Sequence, residues 1–149
     1  QHTGTAAKIR TGGLSVDAFP SFRQLCQCIF SFAQAQVSFK ATAGLHHPLP
    51  ANHALTYEPD SPSTVMHGFL NVAVLAAFVY WQKITSEEAL DILKVSSIGE
   101  FRFAEEEISW GAHSLTLAEI AQTRQYFFRS FGSCSFQEPI DDLKQLNLL

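Results

Sequence analysis

Two short stretches near the start of the chain alternate apolar and polar residues, which is the pattern of a β-strand with one buried face. Residues 6–11 place Lys8 and Arg10 on the polar face, and residues 37–42 place Lys40 there. Each stretch reaches a glycine four positions after its lysine. The sequence therefore predicts two similar strands, each with one cationic face.

The segment between these strands repeats apolar residues at every third or fourth position from Phe22 to Ala33, which predicts a helix with one face against a core. Pro20 precedes this pattern and suits the first residue of a helix, because the first N–H groups of a helix have no partner within it. A strand, a helix and a strand in this order predict a parallel pair of strands joined by the helix.

The rest of the chain is predicted to be mainly helical. Residues 45–63, with four prolines and three histidines, are predicted to form a long loop without secondary structure. Two Thr-x-x-Glu sequences have the form of a capping box, which marks the start of a helix. The predicted elements are helices over residues 64–83, 87–95 and 116–131, a small hairpin over residues 101–113 and a last short helix from Pro139.

The predicted fold class is α/β: a parallel βαβ unit resembling part of a (β/α) barrel, followed by a mainly helical region with a small β-hairpin. We predict a single domain over residues 1–149, with the βαβ unit and the long loop in residues 1–66 and the helices and hairpin in residues 67–149. A polar strand face suits the inside of a barrel near its mouth. Since two strands cannot close a barrel, we expect a piece of a longer protein, a homo-oligomer, or a fold that is not a barrel.

The end of the first predicted strand has the composition of an anion-binding site. A Gly-Gly turn offers backbone N–H groups and an arginine offers a planar pair of donors, which together suit phosphate or carboxylate oxygens. Neither a Walker loop nor a dinucleotide-binding fingerprint is present. The candidate anion-binding residues are Lys8, Arg10, Thr11, Gly12, Gly13 and Thr42. A plain turn at the end of a strand is the alternative.

Lys40 is the candidate nucleophile, because a like charge nearby and burial favour the uncharged amine that attacks a carbonyl group. The alternative is a lysine paired with a carboxylate or binding an anion through charge alone.

His46 and His47 follow the carboxyl end of the second strand, where α/β proteins bind ligands, and with His67 they are candidates for proton transfer. No histidine spacing typical of zinc is present, so neither a metal nor another cofactor is predicted.

Composition and charge argue against several partners. A net charge of −4 and a pI near 5.8 lack the basic surface that nucleic acid requires. The most apolar window, residues 69–81, is shorter than the roughly 20 residues that span a bilayer. Cys26 and Cys28 have no redox or zinc spacing, and no base for Cys134 is recognisable in the sequence. We expect reduced thiols, a cytoplasmic protein and a small anion as the partner.

Two resemblances bear on function. Residues 8–13, KIRTGG, and residues 39–44, FKATAG, resemble the late strands of (β/α)8-barrel aldolases of the deoxyribose-phosphate type, in which such strand ends carry an amine and a phosphate-binding glycine. KIRTGG, FKATAGLHHPL, HGFLNV and FGSCSFQEP together are similar to the C-terminal portion of an uncharacterised group of bacterial proteins, which implies no activity. The pair His46-His47 departs from the aldolase pattern.

The functional expectation is a ligand-binding or lyase-like domain for a small phosphorylated or carboxylated metabolite, which uses Lys40 and the histidines His46 and His47. The alternative is a non-catalytic helical module for assembly or interaction, in which the histidines and lysines are structural.

Overall fold

The computed structural model describes residues 5–149, and this part of the chain contains eight β-strands and five α-helices. The strands are β1 (Ala7–Arg10), β2 (Phe39–Thr42), β3 (Ala51–Ala54), β4 (Ser63–Met66), β5 (Phe101–Phe103), β6 (Glu107–Trp110), β7 (His113–Thr116) and β8 (Phe128–Phe131). The helices are α1 (Phe22–Gln34), α2 (Phe69–Tyr80), α3 (Ser86–Lys94), α4 (Leu117–Tyr126) and α5 (Gln137–Gln145). The predicted α/β class is confirmed.

The predicted parallel βαβ unit is present. β1 and β2 pair in parallel, with Lys8 opposite Lys40, and α1 connects them in sequence. The helix begins after Ser21, so the prediction of Pro20 as its first residue is wrong. The reason is a capping box: the Ser21 hydroxyl accepts a hydrogen bond from the Gln24 N–H, and the Gln24 side chain accepts one from the Ser21 N–H.

β8 is a third parallel strand, although the sequence predicts a single helix over residues 116–131. It pairs with β2, which therefore lies in the middle of the sheet order β1-β2-β8. The helical prediction is wrong for this segment because α4 ends at Tyr126 and the aromatic side chains of Phe127 and Phe128 pack against Phe39. Aromatic residues favour strands where such packing is available.

Three other predictions require correction. Residues 45–63 are not an unstructured loop, because β3 and β4 form an antiparallel pair. The buried helix α2 begins at Phe69 rather than near residue 64, since the preceding residues belong to β4. The predicted hairpin of residues 101–113 is present as β5 and β6 in a mainly helical region, but β7 extends it to a three-stranded antiparallel sheet.

The parallel sheet has one face on the core and one face in solvent. Phe39 and Ala41 of β2 are fully buried in the core with residues of α1 and α2, whereas Lys8, Arg10 and Lys40 are exposed. Parallel sheets are ordinarily covered on both faces. Within residues 5–149, no strand pairs with the outer edge of β1 or of β8, so the sheet is open.

The helices of residues 5–149 bear on the membrane prediction. None of them combines the length and the apolar composition that crossing a membrane requires. α2, the most apolar of them, is buried in the protein core.

Candidate functional site

We use the name cationic face for the exposed side of β1 and β2 that carries Lys8, Arg10 and Lys40. Lys8 and Lys40 are direct neighbours across the two strands, and Ser130 of β8 lies opposite Lys40 on its other side. The four ion pairs within residues 5–149 involve other residues, so none of the three cations has a carboxylate partner there. The cationic face thus presents three positive charges without internal neutralisation.

Arg10 links the cationic face to the end of β1. Its Nε–H donates a hydrogen bond to the carbonyl of Gly12 at 2.9 Å. One guanidinium nitrogen lies 3.0 Å from the position that a Cβ atom on Gly13 would occupy. The guanidinium group and the Gly12-Gly13 turn are therefore adjacent, as the predicted anion site requires.

The two threonines of that predicted site have a structural role. Thr11 is buried, and its hydroxyl donates a hydrogen bond to the carbonyl of Ala43. Thr42 is half-buried, and its hydroxyl donates to the carbonyl of Ile9 at 3.3 Å. These bonds tie the ends of β1 and β2 to each other.

The chain turns sharply where β2 ends. Ala43 and Gly44 both have left-handed backbone angles, with φ of 63° and 77°. Such angles are uncommon for alanine and natural for glycine. The turn buries Leu45 completely and brings the chain to His46 above the end of the sheet.

His46 contacts residues that follow β8. Its Nδ1 atom lies 3.1 Å from a carboxylate oxygen of Glu138 and 3.0 Å from the hydroxyl of Ser133. The thiol sulfur of Cys134 lies 3.5 Å from Nε2 and 3.7 Å from Nδ1. Tyr57, from the loop between β3 and β4, donates a hydrogen bond at 2.6 Å to the other carboxylate oxygen of Glu138, and this bond raises the pKa of the phenol.

His47 has a different set of contacts. Its Nδ1 atom lies 2.6 Å from a carboxylate oxygen of Asp142 on α5, and its ring stacks on His53 with 3.5 Å between centroids. Burial, and next the charge of His47, lower the pKa of His53. A cleft of about 150 Å³ opens beside them, lined by His47, Pro48, Leu49, His53, Asp142, Gln145 and Leu146.

His67 is buried away from solvent, with 3% of its surface exposed. Its Nε2–H donates a hydrogen bond at 2.6 Å to the carbonyl of Pro20, and its ring meets the ring of Phe22 edge to face. The Nδ1 atom is buried without a partner among the described residues. These contacts hold the start of α1 against the start of α2.

The predicted site residues therefore lie in three groups. Lys8, Arg10 and Lys40 share the cationic face, His46 and His47 contact the segment after β8, and His67 contacts α1. Within residues 5–149, no hydrogen bond joins a residue of the cationic face to one of these histidines. No three histidine, cysteine, aspartate or glutamate side chains of the described residues are grouped so that they could hold a metal ion.

The chain matches no protein-family model, no curated protein and no solved structure. Its function is therefore inferred from its own side chains. Those that the sequence did not single out are Glu138 and Asp142, which contact His46 and His47 from α5, and Tyr57, which donates a hydrogen bond to Glu138. Nothing in the sequence marks these pairs.

The burial of His67 predicts how stability depends on pH. Burial lowers the pKa of His67, and the hydrogen bond to the Pro20 carbonyl offsets part of this effect. A lowered pKa in the folded state means that the stabilisation is complete above the unfolded-state value near 6.5 and is lost as the pH falls through the folded-state value. The free energy of unfolding should therefore fall from pH 7 to pH 5.

Urea unfolding at pH 5, 6 and 7 measures this dependence. His67→Gln is expected to flatten it by up to about 1.4 kcal/mol per pH unit, the limit for one proton. His53 titrates in the same direction, and its contribution should remain in the variant. Equal slopes for the wild type and the variant would contradict the assignment to His67.

Proposed function

We propose that this domain binds a small phosphorylated or carboxylated metabolite on the cationic face and performs lyase-like chemistry on it through Lys40. One observation carries the proposal: three exposed cations lie together on an uncovered parallel sheet, with no carboxylate partner among residues 5–149. An anion of a ligand would supply the missing charge. The guanidinium of Arg10 beside the Gly12-Gly13 turn supports phosphate or carboxylate as the group bound.

In the proposed reaction, the uncharged amine of Lys40 attacks the carbonyl carbon of the metabolite. Loss of water then gives a Schiff base, whose cationic nitrogen accepts electrons as the neighbouring carbon–carbon bond breaks and the first product leaves. The enamine that remains takes up a proton, and water hydrolyses the resulting Schiff base, which releases the second product and the Lys40 amine. A second group has to move protons. His47 suits this role for a substrate that extends from the cationic face to the cleft, because His47 lines the cleft and belongs to a different group of side chains from Lys40. Asp142 holds its Nδ1 atom, which leaves Nε2 for the substrate.

The binding step is tested by titrating inorganic phosphate into the protein and following the backbone amide NMR signals. We expect shifts concentrated at Gly12 and Gly13. Arg10→Met should weaken binding roughly tenfold, because one unit charge at contact distance near a protein surface contributes one to a few kcal/mol. Higher salt should weaken binding further.

Arg23→Met is the matched control, since Arg23 is exposed on α1 and lies outside the cationic face. Its phosphate affinity should equal that of the wild type. Equal affinities of Arg10→Met and wild type, or shifts scattered over the surface, would contradict binding at the cationic face.

A non-catalytic interaction module is the second candidate, and the uncovered sheet favours it. The unpaired outer edges of β1 and β8 and the exposed face between them suit a further strand or another protein surface, including a second copy of this chain. Several polar contacts elsewhere are structural, such as the ion pair of Lys83 with Glu119 at 2.7 Å. Light scattering distinguishes the two candidate functions. A dimer that buries the cationic face should dissociate when the charge of Lys8 is reversed, whereas a protein that uses this face as a ligand site should be a monomer.

A further inference from the structure

The segment after β8 carries an exposed thiol next to an imidazole and a carboxylate. Cys134 is exposed, its sulfur lies 3.5 Å from His46 Nε2, and His46 Nδ1 lies 3.1 Å from Glu138. These three groups come from two parts of the chain that are about ninety positions apart. A nucleophile, a base and a group that orients the base form the arrangement that covalent catalysis uses.

Glu138 is held in place from two further directions. The Tyr57 hydroxyl donates to one of its carboxylate oxygens at 2.6 Å, and the Glu138 backbone N–H donates to the hydroxyl of Ser135 at 3.1 Å. With the carboxylate accepting the hydrogen of Nδ1, the lone pair of the imidazole is on Nε2, the nitrogen closer to the thiol. The sulfur is nearly equidistant from both ring nitrogens, so it lies off the axis of that lone pair, and proton transfer requires the exposed Cys134 side chain to rotate toward Nε2.

We propose that Cys134 is a nucleophile that accepts small acyl groups, with His46 as its base and Glu138 as the residue that positions His46. The proposal goes beyond the function of the cationic face and needs neither Lys40 nor a bound anion. The substrate class is a small ester or thioester.

The chemistry balances with water as the only co-reactant. His46 Nε2 takes the thiol proton while the sulfur attacks the acyl carbon, and the carbonyl electrons move to oxygen. The tetrahedral species collapses, the bond to the leaving group breaks, and the leaving group takes the proton from His46. Water then attacks the acyl-thioester and gives a proton to His46, the carbon–sulfur bond breaks, and the thiol recovers a proton.

A small cleft lies beside the neighbouring histidine, His47. The cleft beside His47 has a volume of about 150 Å³, below the 300–1,000 Å³ of typical ligand pockets. The ring centroid of His47 is 6.2 Å from that of His46, but His46 and Cys134 are not among the residues that line this cleft. An acetyl group or another short acyl chain is the substrate tested, because it can reach the exposed thiol of Cys134 without a pocket of its own.

The test is the rate at which each cysteine is alkylated by iodoacetamide at pH 7, resolved by peptide mapping. An unassisted cysteine is only a few per cent thiolate at neutral pH, so loss of the base should slow Cys134 roughly tenfold or more. His46→Asn is the variant to use, because the amide nitrogen of asparagine replaces Nδ1 as a donor to Glu138 while the base is lost. In the wild type, Cys26 serves as the slow internal reference, since burial raises the pKa of its thiol.

His113→Asn is the matched control, because His113 also contacts a glutamate, Glu88, at 2.8 Å but takes no part in the proposed chemistry, so the alkylation rate of Cys134 should be unchanged. Glu138→Gln should shift the pH profile of Cys134 alkylation, which a purely structural role would not do. Incubation with p-nitrophenyl acetate should release p-nitrophenol and acetylate Cys134 in the wild type and in His113→Asn. Equal alkylation rates in wild type and His46→Asn would overturn the role of His46. Absence of acetyl-Cys134 together with no release of p-nitrophenol above the buffer rate would overturn acyl transfer.

Discussion

Gly12→Ala is expected to lower the free energy of unfolding by about 3 kcal/mol, near the upper end for an overpacked position. A Cβ atom at this position would lie 2.6 Å from the Cα atom of Gly44 and 2.8 Å from a ring carbon of Phe19. Gly44 cannot move away easily, because its left-handed backbone angle belongs to the turn that ends β2. The methyl group would therefore separate the ends of β1 and β2.

Gly132→Ala is the matched control for this prediction. Gly132 follows β8, the third parallel strand, and a Cβ atom there would meet no atom within 4 Å. We expect its free energy of unfolding in urea to stay within about 0.5 kcal/mol of the wild type. Equal stabilities of the two variants would contradict the close approach of Gly12 and Gly44.

Phe39→Ala is expected to cost about 4 kcal/mol of stability, the middle of the range for a buried phenylalanine. Phe39 is fully buried in the central strand β2. Its ring centroid lies 5.0 Å from those of Phe127 and Phe128 and 5.3 Å from that of Phe32, so its removal leaves a cavity where α1, α4 and β8 meet.

The comparison variant is Phe136→Ala, because 86% of the Phe136 surface is exposed. Urea unfolding should show little change for this variant, and the slope with denaturant should be the same for all three proteins. A loss below about 1 kcal/mol in Phe39→Ala would contradict the placement of β2 at the centre of the core.

The βαβ unit was predictable because each of its elements satisfies a local rule. The alternation in residues 6–11 and 37–42 and the helical repeat of α1 all agree with their place in the fold. β8 was not predictable in this way. Its sequence Phe-Arg-Ser-Phe continues the apolar pattern of α4, and only the contact of Phe128 with Phe39 in the folded protein makes it a strand.

The candidate site shows the same division. Lys8, Arg10 and Lys40 could be assigned to one face of a sheet because strand alternation determines the face of each side chain. The partners of His46 and His47 depend on where α5 lies, and Glu138 follows His46 by 92 positions. No base for Cys134 is recognisable in the sequence, because His46 precedes it by 88 positions, and folding brings the Cys134 sulfur to 3.5 Å from His46 Nε2.

Contacts with His46 and His47 also explain how α5 is held. None of the residues of α5 is fully buried, and Leu143 is the one residue of this helix that packs against the main core. The carboxylates of Glu138 and Asp142 contact the two histidines at 3.1 and 2.6 Å. Groups that position the candidate catalytic histidines thus also fix the last helix to the end of the sheet.

Borohydride trapping tests the central claim most directly. The protein is incubated with a panel of small aldehydes and ketones that carry a phosphate or a carboxylate, reduced, and mapped by mass spectrometry. We expect one adduct, on Lys40, that is absent from Lys40→Arg and unchanged in Lys94→Arg, an exposed lysine at the end of α3. Equal incorporation in the wild type and Lys40→Arg, or none in either, would contradict Schiff-base chemistry at the cationic face.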